Sequence, residues 1–168
     1  ELDRMPQVFV SIGSNIDREN NIRGALRELR SHYGALVLSR AYESKAEGFT
    51  GDNFYNLVVA FDTNEAIEQI KENLRRIEAQ FGRERSGNRH GSRTLDLDLL
   101  LYGEVVRHDG TVNLPHPDIG RYAFVLRPLA EMAPQQRHPE TGQSLAQMWK
   151  KFEKSGQKIQ AVEVDTGG

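Results

Sequence analysis

At 168 residues, with 38% hydrophobic and 27% charged residues, the chain has the size and mix of one soluble globular domain spanning residues 1–168. A formal net charge of −2 argues against a general nucleic-acid or membrane-surface binder, and zero cysteines exclude disulfides and thiolate chemistry. No apolar run reaches the length of a membrane span, and residues 1–6 hold no signal-like apolar core, so the expectation is a cytoplasmic monomer with a loose start over 1–6 and a loose tail over 154–168.

Val8, Val10 and Ile12 alternate and predict a first strand that ends at Gly13-Ser14-Asn15. Ile22, Leu26, Leu29 and Tyr33 then recur at helical spacing, with Gly34 as the stop. Residues 36–42 read as a second strand, residues 43–53 as a polar connection, and residues 54–61 as a third strand. Asp62-Thr63-Asn64 offers capping side chains for a second helix, whose stripe is Ile67, Ile70, Leu74, Ile77 and Phe81, with Gly82 as terminator. Residues 94–102 predict a fourth strand, Gly103-Glu104 a turn into Val105-Val106, and residues 111–114 an extension of the same sheet. Leu145, Met148, Trp149 and Phe152 mark a last amphipathic helix. Strand, helix, strand, strand, helix, strand is the split βαβ order. It predicts an α+β, ferredoxin-like (βαββαβ) antiparallel sheet with both helices on one face, C-terminal additions, and the other face free for a site.

In the fourth strand Leu95, Leu97, Leu99 and Leu101 should share the helix side, which puts Asp96 and Asp98 with Thr94 on the other. Two carboxylates opposite a leucine ladder need water or cations, and oxygen-only ligands suit Mg²⁺. Solvated acids on an exposed strand face are the simpler account of a bare Asp-x-Asp. The preceding segment shifts the balance. Arg83, Arg85, Arg89 and Arg93 against the single Glu84 give residues 83–93 a local charge of +3, beside His90, Gly82, Gly87 and Gly91. Guanidinium groups next to acidic metal ligands are what a Mg²⁺–triphosphate complex requires. Arginines that merely pair with Asp96 and Asp98 remain the alternative. Phe54 and Asn56 share a strand face and would suit a flat heterocycle that stacks on the ring and pairs with the amide, although this strand taken alone reads more readily as Phe54 in the core and Asn56 at a strand edge. His116, held in Leu114-Pro115-His116-Pro117, is placed to touch phosphate; taken alone it is a surface histidine, and Phe124 taken alone is core.

Together these residues resemble the 6-hydroxymethyl-7,8-dihydropterin pyrophosphokinase family of folate biosynthesis. The resemblance spans about residues 8–129. Its most specific part is residues 89–100, Arg-His-Gly-Ser-Arg-Thr-Leu-Asp-Leu-Asp-Leu-Leu, and residues 12–15, 54–56, 114–117, 124–126 and 128–129 follow in the family's order. The resemblance implies a ferredoxin-like fold, two Mg²⁺ ions, ATP as co-substrate, and transfer of its terminal pyrophosphate to the pterin hydroxymethyl oxygen with release of AMP. It implies Asp96 and Asp98 as metal ligands, and Arg83, Arg93 and His116 on phosphate. Arg85 becomes a catalytic-loop arginine, and Glu78 lies near the nucleotide. Phe54 and Phe124 sandwich the pterin, Asn56 pairs with its edge, and Ser44 and Gly48 touch it from the loop after the second strand. The chain departs from the family pattern in the absence of proline from residues 44–48, in Ser86 and His90, and in Tyr122, where an arginine is usual. The rival readings are a catalytically weak pterin or nucleotide binder and a ferredoxin-like RNA-binding module.

Overall fold

A computed structural model describes residues 5–45, 53–81, 95–154 and 156–167. Strand β1 (Gln7–Ser14) lies inside the sheet, and its residues beyond Gln7 are buried or half-buried on both faces. It pairs antiparallel with β4 (Phe54–Asp62) on one side and β5 (Asp96–Tyr102) on the other. The next strand outward is β3 (Ala41–Ser44), and the main path runs β5-β1-β4-β3-β8, where β8 is Ile159–Val162. The first four of these strands are the antiparallel ferredoxin-like core expected from the element order. Helices α1 (Arg18–Tyr33) and α2 (Ile67–Phe81) cover one face. Ile22, Ala25, Leu26 and Leu29 from α1, and Ile70, Leu74 and Ile77 from α2, bury against Val8, Val10, Ile12, Leu57 and Val59. The helices approach closely at Gly24, where a Cβ would come within 2.5 Å of the Phe81 ring. Gly34 stops α1 at φ 84°, its N–H bonded to the Arg30 carbonyl at 2.9 Å.

Several expectations need correction. The second strand divides into β2 (Val37–Leu38) and β3, both paired with β4. Between them the Ser39 hydroxyl accepts the Val58 N–H at 2.8 Å, so a side chain replaces a ladder carbonyl. Asp62 is the end of β4 rather than a helix cap, and the Thr63 hydroxyl accepts from Glu65 N–H in the connection before α2. Residues 111–114 do not extend the main sheet: β6 (Arg107–His108) and β7 (Asn113–Leu114) make a separate two-stranded ribbon. Leu101 leaves the ladder of Leu95, Leu97 and Leu99. The β1–β5 register slips between Val10↔Leu99 and Phe9↔Leu101, and the extra residue turns Leu101 onto the opposite face.

That opposite face is only half free. Helix α3 (Ala123–Met132) lays Val125, Leu126, Leu129 and Ala130 on Phe9, Val58, Ala60 and Leu101, and α4 (Leu145–Lys151) packs beside it. The sheet is therefore sandwiched between two helical layers. The expected loose tail does not hold for Ile159–Val162, since β8 pairs with β3 from Ala41↔Val162 to Ser44↔Ile159. Further on, Asp165 meets Arg23 at 2.9 Å. An outer β3 would expose unpaired backbone groups, which β8 satisfies. Among the described residues no helix is long and apolar enough to cross a membrane.

Candidate active site

The face beneath α3 is apolar at one end and polar at the other, and register decides where the change falls. Ala60 and Phe9 lie in the row that α3 covers, and Val58, Ser11 and Asp98 form the next. The row beyond is Asn56, Gly13 and Asp96, with Ser44 paired to Phe54 at the end of β3. A slot of about 260 Å³ opens over this polar end, lined by Gly13, Ser44, Phe54, Asn56, Asp96, Asp98, Asp118, Tyr122 and Phe124 among others. Its floor is low because Gly13 has no side chain: a Cβ there would lie 2.9 Å from Asn56 Oδ1. Asn56 is 5% exposed and donates through Nδ2 to Ser44 Oγ at 2.8 Å, which orients the rest of its amide. Phe124 enters from the first turn of α3 and stacks on Tyr122, ring centres 5.1 Å apart and planes 21° apart.

A second cavity of about 620 Å³ adjoins the slot, lined by Lys71, Arg75 and Glu78 of α2, by His116, and by the β6–β7 ribbon. Asp96 and Asp98 line both cavities and stand at their junction. Protein surrounds the Asp98 carboxylate although solvent reaches it. Burial pushes its pKa up, and Asp96 and Asp118 add to the rise, while His116 and Lys71 oppose it. Asp98, His116 and Asp118 present ligand atoms all within 4.8 Å of one another. The His116 N–H is held by the Leu100 carbonyl at 3.0 Å, and its ring Nδ1 accepts from Asp118 N–H at 3.0 Å. The proton of a neutral imidazole is then on Nε2. Carboxylates crowded enough to push the Asp98 pKa up fit a hard divalent cation, which would relieve that repulsion.

The sequence-derived site residues fare unequally. Ser44, Phe54, Asn56, Asp96, Asp98 and Phe124 meet in the slot, and His116 and Glu78 line the neighbouring cavity. Glu78 Oε2 accepts the Leu97 N–H at 2.7 Å, so that oxygen anchors the start of β5. Gly48, Arg83, Arg85 and Arg93 lie outside the described residues, as do Thr94 and the glycines at 82, 87 and 91. Sequence reasoning missed Asp118, Tyr122, Lys71 and Gly13 as lining residues. An acid two places after His116 is the signal for Asp118; in the sequence Gly13 marks the end of the first strand and belongs to the 12–15 match. Among the described residues α3 covers half of this face, and Asp96, Asp98 and Asp118 line the slot in the other half, an arrangement that disfavours a phosphate backbone there.

A family model described as 7,8-dihydro-6-hydroxymethylpterin-pyrophosphokinase (HPPK) matches residues 9–134. The chain is 35% identical over 142 residues to a Synechocystis protein named 2-amino-4-hydroxy-6-hydroxymethyldihydropteridine pyrophosphokinase, covering 83% of this chain and 72% of the relative. A Bacillus subtilis protein of the same name is 35% identical over 156 residues, covering 88% of this chain and 92% of that one. Among solved structures, a Plasmodium falciparum HPPK-DHPS superposes with a TM-score of 0.67 at 15% identity, which speaks for the fold. The match covers 90% of this chain and 45% of the Plasmodium chain.

Proposed function

The chain belongs to the 7,8-dihydro-6-hydroxymethylpterin-pyrophosphokinase family and is an enzyme of that class in folate biosynthesis; from that premise we propose how its two cavities divide the reaction. The pterin lies in the slot and ATP in the larger cavity. The hydroxymethyl oxygen attacks the β-phosphorus of ATP, the bond from that phosphorus to the AMP oxygen breaks, and the hydroxyl proton is released. The observation that carries this reading is that Asp96 and Asp98 line both cavities, so the reacting ends of two ligands meet where negative charge needs neutralising.

Asp96 and Asp98, with Asp118 beside them, would hold Mg²⁺, two ions in the full reading. The cation supplies charge neutralisation for the phosphate oxygens. Phe54 and Phe124 cover the faces of the heterocycle, and Asn56, oriented by Ser44, pairs with its edge. His116 offers its Nε2 proton to a phosphate oxygen, with Nδ1 committed to the Asp118 N–H. Arg83, Arg85 and Arg93 are assigned to the phosphates from the family resemblance, Gly48 to the pterin, and Glu78 to the rim of the nucleotide cavity. The partners are these small molecules.

AMP release measured with ATP, Mg²⁺ and 6-hydroxymethyl-7,8-dihydropterin tests the reading. AMP should form in step with pterin consumption and only when all three are present. Tight binding of both ligands without AMP would identify a binding protein, and AMP formed without pterin would overturn the substrate assignment.

A further inference from the structure

The chain beyond α4 reaches the slot on two sides. On one side β8 pairs with β3 at Ser44↔Ile159, so it supports the strand whose last residue bonds Asn56. On the other side, two residues before Ile159, the Gln157 amide grips the entry to α3. Its Oε1 accepts the Ala123 N–H at 2.8 Å, and its Nε2 donates to the Arg121 carbonyl at 2.9 Å. These two backbone groups flank Tyr122, whose ring stacks on Phe124, and both rings line the slot. The Gln157 N–H is itself tied to the Lys154 carbonyl at 3.1 Å, and Gly156 at φ 80° turns the chain toward α3. One short segment thus touches the polar wall of the slot and, through a two-point amide clamp, its aromatic wall.

A plainer role for Gln157 is to cap α3, whose own N-cap residue, Tyr122, supplies no side-chain hydrogen bond. A cap needs only the acceptor to Ala123. The second bond, to Arg121 on the far side of Tyr122, locks the residue between them, which a cap alone does not require. We propose that Gln157 is a positioning residue for the pterin: it holds Tyr122 and Phe124 at the spacing from the Ser44–Asn56 wall that a flat heterocycle requires. The inference rests on the slot being the pterin site.

The test uses the full-length protein with Mg²⁺ and a non-hydrolysable ATP analogue, titrated with 6-hydroxymethylpterin, alongside steady-state turnover. Gln157→Ala should weaken pterin binding about tenfold and raise the pterin KM far more than it lowers kcat, as expected when two backbone bonds that order a wall are lost. Affinity for the nucleotide analogue should stay within about twofold, since Gln157 does not line that cavity. Gln157→Glu keeps the acceptor for Ala123 but sets an oxygen against the Arg121 carbonyl, so it should weaken pterin binding while losing less thermal midpoint than Gln157→Ala. It carries the test if Gln157→Ala does not fold. Wild-type pterin affinity in both variants, or equal losses for pterin and nucleotide, would overturn the inference and leave the functional reading intact. A wild-type protein that binds nucleotide but no pterin refutes the functional reading and this inference with it.

Discussion

Gly13 and Asn56 lie directly opposite each other across β1 and β4, and their proximity makes a sharp test of the slot. In Gly13→Ala the new methyl would sit 2.9 Å from Asn56 Oδ1, where ordinary contact begins near 3.4 Å. The amide must retreat by roughly half an ångström, which stretches its 2.8 Å bond to Ser44 and turns its free edge away from the pterin. Losing one such oriented pairing with a buried polar edge costs about 1–3 kcal/mol of pterin affinity, a factor of about 5–150. Asn56→Ala should cost the same, because it removes the same amide. The double variant decides the matter. With Asn56 trimmed, the nearest atom to the new methyl is Phe54 Cδ2 at 3.7 Å, an ordinary contact, so Gly13→Ala in that background should be nearly silent. The coupling energy between the two positions should then be at least about 1 kcal/mol. Isothermal titration of the four proteins with 6-hydroxymethylpterin, at saturating Mg²⁺ and nucleotide analogue, measures it directly. Additive losses, or equal losses in nucleotide affinity, would mean that the glycine acts on the sheet as a whole rather than through the amide.

Asp98→Ala should abolish most Mg²⁺-dependent AMP formation; near-normal turnover would remove Asp98 from the metal site. Asp98→Asn should raise the thermal midpoint of the chelator-treated protein at neutral pH, because burial and the neighbouring acids raise the carboxyl's pKa and make its ionisation unfavourable in the fold. Burial pushes the Glu65 and Glu131 pKa values up. Bonds from Tyr33 and His32 to Glu65, and from Tyr42, Arg40 and Arg127 to Glu131, outweigh it and leave both below the usual 4.5. Their contribution is therefore present above pH 4.5 and lost as pH falls through the lower folded values, so a urea-midpoint deficit of Glu131→Gln at pH 7 should shrink in acid. Leu129 of α3 is fully buried against the sheet, and Leu129→Ala should cost about 2–5 kcal/mol by urea denaturation with nucleotide affinity retained in the folded protein.

What the sequence determined by itself is whatever depends on local periodicity. The stripe from Ile67 to Phe81 could only be an amphipathic helix, and the period-two leucines from Leu95 to Leu99 could only put Asp96 and Asp98 on the face away from the helices. Element order then gave the ferredoxin-like core, and residues 89–100 carried the family resemblance. Tertiary structure decided whatever depends on residues far apart in the chain. The slip between Phe9 and Val10 moved Leu101 to the other face, which no reading of β5 alone could show. Helix α3 was hidden because Pro128 interrupts its hydrogen-bond pattern and its apolar run is short; it forms because Phe9, Val58 and Leu101 offer an apolar surface to cover. Asp118 joins Asp98 only because His116 is tied to the Leu100 carbonyl, which brings a loop 20 residues along the chain back over β5. The weak pattern of Ile159–Val162 gave no strand signal, and its pairing exists because β3 had an edge to fill. Side-chain alternation is set by each residue's own backbone, whereas coverage of a face is set by whichever distant segment can bury it, and for that the fold had to be seen.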